Sequence, residues 1–400
     1  MKLHIFNPEN DLALADGGAN YCPPPAAASI ANDLCTLPLW FASPDDAVLL
    51  KEKVHIDYCS EMQEQFTVAR PFSSDMLNSI EECVPWGWSS QMLRRLESMG
   101  IQNKNLPEKR FIEKIRDTSN RRTSIKILQE LAERGVDIPP LPIYNENISD
   151  VKSFIESMPR SVVKAPWSGS GKGLLWGIGR VEVPMERFCN GIIKRQGGVI
   201  CEHFFKSIIE FAMEFLADGN SVTFSGYSLF STSNGAYTGN ILAPDSEIEE
   251  FLSGFIHPEE LSSVRMALCD VLRHIIGDTG YAGYIGVDMM LYEDNNSKTR
   301  LHPCIELNFR MNMGMLSRIL YDRHVHSGKR GIYKVEYFKN NSDAVAAHRY
   351  MKGKNPLAVC DRKIVSGYIN LSPVTTQSHY IAYAEISDDN LCSLYTQHKI

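Results

Sequence analysis

The chain has 400 residues, of which 44% are hydrophobic and 22% charged, and it carries a formal net charge of -7. That length exceeds what one hydrophobic core supports, so two or three sub-domains are expected. The acidic balance argues against nucleic acid or an anionic membrane as the main partner, and no apolar run is long enough to span a bilayer.

In chain order, residues 3–6 read as a strand, 26–34 as a short helix after the Pro23–Pro25 stop, and 46–50 as an apolar run. Residues 89–99 have helical spacing with Gly100 as C-cap. Residues 109–134 read as one long basic helix ending at Gly135, before the breaker Asp137-Ile-Pro-Pro-Leu-Pro142. From 160 to 240 the period becomes that of strands, at 161–165, 174–183, 198–205, 209–217 and 222–230. A helix follows over 258–277. Its stripe is Leu261, Val264, Leu268, Val271, Leu272, Ile275 and Ile276, with Pro258 at its start and Gly277 at its end. Strands at 284–292 and 301–309 flank the turn-rich Asp294-Asn-Asn-Ser297, and the last seventy residues are mixed and β-leaning. The start of the chain reads as a strand and turn, not a signal peptide. Ten cysteines are scattered singly without a C-x-x-C pair, as in reduced cytoplasmic proteins.

Two segments carry chemistry. The first is Ser161-Val-Val-Lys-Ala-Pro-Trp-Ser-Gly-Ser-Gly-Lys-Gly173, where a strand ends at Lys164 and a loop of small residues leads into a second strand. Ser168, Gly169, Ser170 and Gly171 would let backbone N–H groups approach an anion, with Lys172 at the tip. Pro166 and Gly173 occupy positions that a Walker A loop reserves for Gly and Ser or Thr, so it is not one. A plain flexible hairpin with a surface lysine is the other reading.

The second segment pairs Asp288 with Glu306, Asn308 and Arg310. Alternate positions share a strand face, and a turn centred near 297 would set Asp288 opposite Glu306. Facing carboxylates repel unless a cation joins them, and an all-oxygen set suits magnesium shared with substrate phosphates. Arg310 could neutralise a transferring phosphoryl group. An exposed acidic strand with an ordinary salt bridge is the alternative.

In their order and spacing these residues resemble the ATP-grasp superfamily over roughly residues 109–323. The resemblance implies an α/β (α+β) protein. A pre-ATP-grasp α/β domain would span 1–105. A two-lobed ATP-grasp domain with antiparallel sheets would span 106–330, its small lobe about 120–205 and its large lobe about 206–330. A β-leaning extension would fill 331–400. It implies ATP contacts from Lys164 and the Ser168–Gly173 loop, from a hinge strand at Glu202, His203 and Phe204, and from Glu210 on the ribose, with Glu214 as the alternative. Asp288, Glu306 and Asn308 would hold Mg²⁺, with Arg310 and Lys164 as catalytic groups. The family's earlier lysine is missing, and Arg121 or the adjacent Arg122 would take its phosphate contact. The implied activity is that of an ADP-forming ligase joining a small-molecule or peptide carboxylate to an amine or thiol through an acylphosphate. Rival readings are a phosphotransferase on the same fold and a non-catalytic nucleotide-responsive module. The loop Asn7–Gly18 and Arg318 are expected near the second substrate, although Arg318 would equally pair with Asp322 four residues on. Trp86-Gly-Trp88 reads as domain-boundary packing, and His324-Val-His326 as loop.

Overall fold

A computed structural model describes residues 1–169, 173–233 and 236–398. The N-terminal strand Lys2–Ile5 buries Leu3, His4 and Ile5, as a strand covered on both faces must. It pairs in parallel with Ala47–Val48 and Glu82–Pro85, and Arg70–Pro71 completes a four-stranded sheet. In such sheets ligands approach the carboxyl ends of the strands. Here those ends run into two loops that Asn7 ties together: its Nδ2 donates to the Gly87 carbonyl (2.8 Å) and its Oδ1 accepts from the Gly87 N–H (3.3 Å).

The basic stretch expected as one helix is two, Lys109–Thr118 and Arg122–Glu133. Asn120 causes the break. Its side-chain oxygen accepts from the Arg122 N–H (2.9 Å) and its carbonyl from the Thr123 N–H, so the second helix starts afresh. Arg121 is left at the junction, and its own N–H donates to the Pro166 carbonyl (3.0 Å).

The small lobe is an antiparallel sheet in the order Ile143–Asn145, Val199–His203, Ser161–Lys164, Leu174–Gly177. Helices Ile148–Glu156 and Val183–Gln196 cover it through Val151, Ile155, Cys189 and Ile192. The run 174–183 is therefore only half strand. Pro184 has no N–H for a ladder and sits in the first turn of a helix that ends at the left-handed Gly197.

The large lobe holds a sheet of nine strands among the described residues, antiparallel throughout. Thr299–Asn308 lies at one edge, and Ala282–Glu293, Lys206–Asp218, Val222–Ser233 and Ala236–Leu242 follow. The strands of the last seventy residues extend the same sheet, starting with Arg330–Tyr337. Helix Pro258–Thr279 packs the expected stripe against it. Leu261, Leu268, Val271, Leu272 and Ile276 are fully covered, each contributing roughly 1.5–3 kcal/mol of burial. That helix runs past Gly277 and stops at Gly280, whose φ of 69° is the left-handed value a C-cap needs. All ten cysteines are free, and no described helix is long and apolar enough to cross a membrane.

Candidate active site

The acidic hairpin is built as its spacing predicts, by a less direct route. Asp288 faces Glu306, and Gly286 faces Asn308. Nearer the turn, Met290 faces His302 and Glu293 faces Thr299, so the hairpin is centred at 296 rather than 297. A regular ladder would then have set Asp288 against Cys304. The register shifts between Asp288 and Met290, beside Pro303, which has no N–H to give the ladder. Two extra residues on the Pro303 strand restore the pairing and leave every side chain on its face. Asn308 Nδ2 donates to Asp288 Oδ1 (3.1 Å). Enclosure by protein, and then the neighbouring Glu306, push the Asp288 carboxyl up to about 7.

Three cations converge here, each on a partner. Arg121 donates to both oxygens of Glu306 (2.8 and 2.9 Å), and also to the Ala165 carbonyl (2.8 Å) and Ser168 Oγ (2.6 Å). Arg122 is exposed, so of the two candidates Arg121 is the one brought to the site. Arg310 forms a two-bond pair with Asp11 of the N-terminal domain (2.8 and 2.6 Å). Lys164 pairs with Glu202, the strand residue expected at the hinge. Burial and the nearby Arg121 lower the Lys164 ammonium to about 8.

Of the other expected nucleotide residues, His203, Phe204 and Glu210 lie outside the cavity lining. Ser168 and Gly169 line the cavity, Gly169 beside Asp11. Ser170, Gly171 and Lys172 lie outside the described residues. Gly173 closes the loop by accepting from the Ala165 N–H (2.8 Å), and a Cβ there would collide with the Ser168 side chain that Arg121 holds. His203 lies against the Phe154 and Phe205 rings, and Phe204 lies under the Arg160 guanidinium at 3.6 Å. Glu210 accepts from Thr232 Oγ1 (2.7 Å), and Thr232 lines the cavity.

The cavity, about 260 Å³, lies where the N-terminal domain meets both lobes. Pro8, Asp11 and Trp86 come from the first domain, Leu174 from the small lobe, and Asp288, Asn308 and Arg310 from the large one. Trp86 is thus both boundary packing, edge-on to Phe6 and Phe41, and cavity wall. Outside the ion pairs, but within reach of the charges on Asp288 and Arg310, sits Glu214. It accepts from Asn312 Nδ2 (2.8 Å), and burial pushes its carboxyl up to about 8. Ser228, held by Asn240 Nδ2 (2.6 Å), and Tyr237 also line the cavity. Asp11 lies in the loop Asn7–Gly18 expected near the second substrate, and Glu214 is the alternative that the resemblance offers for the ribose, whereas Asn312 carries no local motif.

Arg318 is not part of the cavity. It donates to the Ala243 carbonyl (2.8 Å), Asp245 (3.1 Å) and Asp322, the i,i+4 arrangement left open by the sequence. His324 lies in helix Met313–His324 rather than a loop, its Nε2 against the Trp40 carbonyl (3.0 Å).

No protein-family model matches the sequence, and no curated protein matches it significantly. Solved structures do match its fold. N5-carboxyaminoimidazole synthetase from Staphylococcus aureus complexed with ADP has a TM-score of 0.50 at 12% identity, over 99% of this chain and 96% of that one. N5-carboxyaminoimidazole synthase from Aspergillus clavatus, in complex with ADP and 5-aminoimidazole ribonucleotide, also has a TM-score of 0.50, at 10% identity over 100% and 96%. The chain therefore has the ATP-grasp fold that its motifs imply.

Proposed function

We propose that this chain is an ATP-dependent ligase that joins a small-molecule or peptide carboxylate to an amine or thiol through an acylphosphate. The observation that carries the reading is the gathering of Lys164, Arg121 and Arg310 with Asp288, Glu306 and Asn308 at one site between two antiparallel sheets. The ADP bound in both solved structures of like fold is in line with it.

In this reading Lys164, Arg121 and the backbone of Ser168 and Gly169 bind the phosphates. The hinge at Glu202, His203 and Phe204 faces adenine, and Glu210 takes the ribose hydroxyls. A substrate carboxylate oxygen attacks the γ-phosphorus and ADP leaves. The lone pair of the neutral amine then attacks the acylphosphate carbon, the bond from that carbon to the phosphate oxygen breaks, and the nitrogen gives up a proton as phosphate departs. Arg310 offsets charge on the transferring phosphoryl group, which is where the largest electrostatic gain is made.

Magnesium fits the residues present. Two carboxylates face each other, one raised to about 7 by enclosure and by its neighbour, with the Asn308 amide alongside. Asp288, Glu306 and Asn308 would hold the ion. When bound, it screens the charge of the nucleotide phosphates.

The test is ADP release from Mg-ATP with pooled amino acids and short peptides, with and without hydroxylamine. Carboxylate-dependent ADP release with a hydroxamate product is the expected result. ADP release accompanied by a phosphorylated hydroxyl, and no hydroxamate, would replace the ligase with a phosphotransferase.

A further inference from the structure

Glu214 is 1% exposed, lines the cavity, and takes part in none of the ion pairs formed by the described residues. Its hydrogen bond comes from the neutral amide of Asn312. A carboxylate withdrawn from water without a counter-charge is costly, and a ligand that supplies the charge removes that cost.

The surroundings specify the ligand. Gly286 and Gly314 back the carboxylate so closely that a Cβ on Gly286 would stand 2.9 Å from one oxygen and a Cβ on Gly314 would overlap the other. The carboxylate is therefore wedged, and its open side is the cavity. Trp86 and Tyr237 line the cavity with it, and aromatic faces attract cations. Among the described residues the only basic side chains in the lining are Arg121 and Arg310, both already paired, with Glu306 and Asp11. Ser228 and Tyr237 are fixed by Asn240, so the polar groups of this end are already set in place. A cation would find a carboxylate and aromatic faces here.

We infer that the Glu214 end of the cavity binds the acceptor substrate, and that this substrate carries a cationic nitrogen, an ammonium or guanidinium group, seated on the Glu214 carboxylate between aromatic walls. Only the word acceptor rests on the ligase reading; the cation site stands on its own geometry.

The experiment is calorimetric binding to the full chain of three probes of matched length: 1,4-diaminobutane, 1,4-butanediol and succinate. Each is measured with and without Mg-ADP, beside a separate titration with a fluorescent ATP analogue. Diaminobutane is expected to bind at least about tenfold tighter than the diol, and succinate weakest of the three. Glu214→Gln, which keeps an acceptor for Asn312, should lose that preference while still binding the ATP analogue. Equal affinity for diamine and diol, tightest binding of succinate, or an unchanged preference in Glu214→Gln would overturn the inference. The wild-type series decides the matter even if the variant fails to fold. Binding of the ATP analogue without any probe preference would remove the cation site alone. Diamine preference without nucleotide binding would leave that site standing and remove the ligase reading.

Discussion

At one end of the cavity Arg121 holds Glu306, Asp11 holds Arg310, and Lys164 holds Glu202, whereas at the other end Glu214 rests on a neutral amide. Both ends bury charge, but only the first cancels it. Where ligand charges of both signs are to arrive, as with phosphates and a metal ion, the protein can let its own cations and anions neutralise one another in the meantime. Each such pair must exchange partners on binding, so Glu306 would leave Arg121 for the ion and Arg121 would turn to phosphate. Where a single charge is to arrive, the described residues give Glu214 a neutral amide and no ion-pair partner. Burial is the first cause that raises Glu214 to about 8 and Asp288 to about 7, and a second carboxylate adds to each, Asp288 for Glu214 and Glu306 for Asp288.

The largest effect expected from this contrast is at the paired end. Glu306→Gln removes a charge from the metal set and from Arg121 with little change of volume. Turnover at saturating magnesium should fall by at least about a hundredfold, since a lost charge at the transferring group removes several kcal/mol of stabilisation. The circular dichroism spectrum should not change. Wild-type turnover in this variant would dissolve the metal assignment.

The unpaired end should instead reveal itself in stability. The Glu214 carboxyl titrates near 4.5 when unfolded and at about 8 when folded. Below the lower value both states are protonated and nothing is lost. Between the two, the folded state keeps a proton that the unfolded state has released, so stability falls as pH rises, and the loss levels off above about 8. Glu214→Gln should therefore be more stable than wild type by an increment that grows from pH 4.5 to 8, on the order of a few kcal/mol at its limit. Thermal melts across that range check it, and parallel profiles for the two proteins would mean that Glu214 already has a counter-charge.

The same contrast explains what could be read from the sequence. The paired end is carried by local spacing: Asp288 and Glu306 about a turn centre, Asn308 and Arg310 on alternate positions, Lys164 at a strand end before a glycine-rich loop. Alternation survives the bulge at Pro303 because the insertion is of two residues. The choice between Arg121 and Arg122 could not be made from a presumed continuous helix. It is settled by Asn120, a cap-forming residue whose break leaves Arg121 alone facing Glu306. The unpaired end had no such spacing. Glu214 acquires its surroundings from Trp86, Gly286, Asn312 and Gly314, which belong to different segments, so its neighbours exist only after folding. Arg318 lies outside the cavity lining for the reverse reason: Asp322 is one turn away on its own helix, and helix geometry favours that pair.

The smallest expected effect tests where one end gives way to the other. Glu210 and Glu214 lie on one face of strand Lys206–Asp218, four residues apart, and only their neighbours distinguish them. Glu210 accepts from Thr232 Oγ1 at 2.7 Å, so its carboxylate is already an acceptor for hydroxyl groups, and Thr232 marks its side of the cavity. A ribose 2′-hydroxyl that donates to a carboxylate contributes roughly 1.5–3 kcal/mol. Wild type should therefore prefer ATP over dATP by about tenfold or somewhat more, and Glu210→Ala should bring that ratio close to one with little change in the fold. Competition of ATP and dATP against a fluorescent analogue measures the ratio directly. If Glu210→Ala keeps the discrimination and Glu214→Gln removes it, the nucleotide occupies the Glu214 end, and a hydroxyl donor rather than a cation is what that carboxylate awaits. The two ends would then be one site, and the contrast in their charge would describe the unliganded state of a single nucleotide cleft.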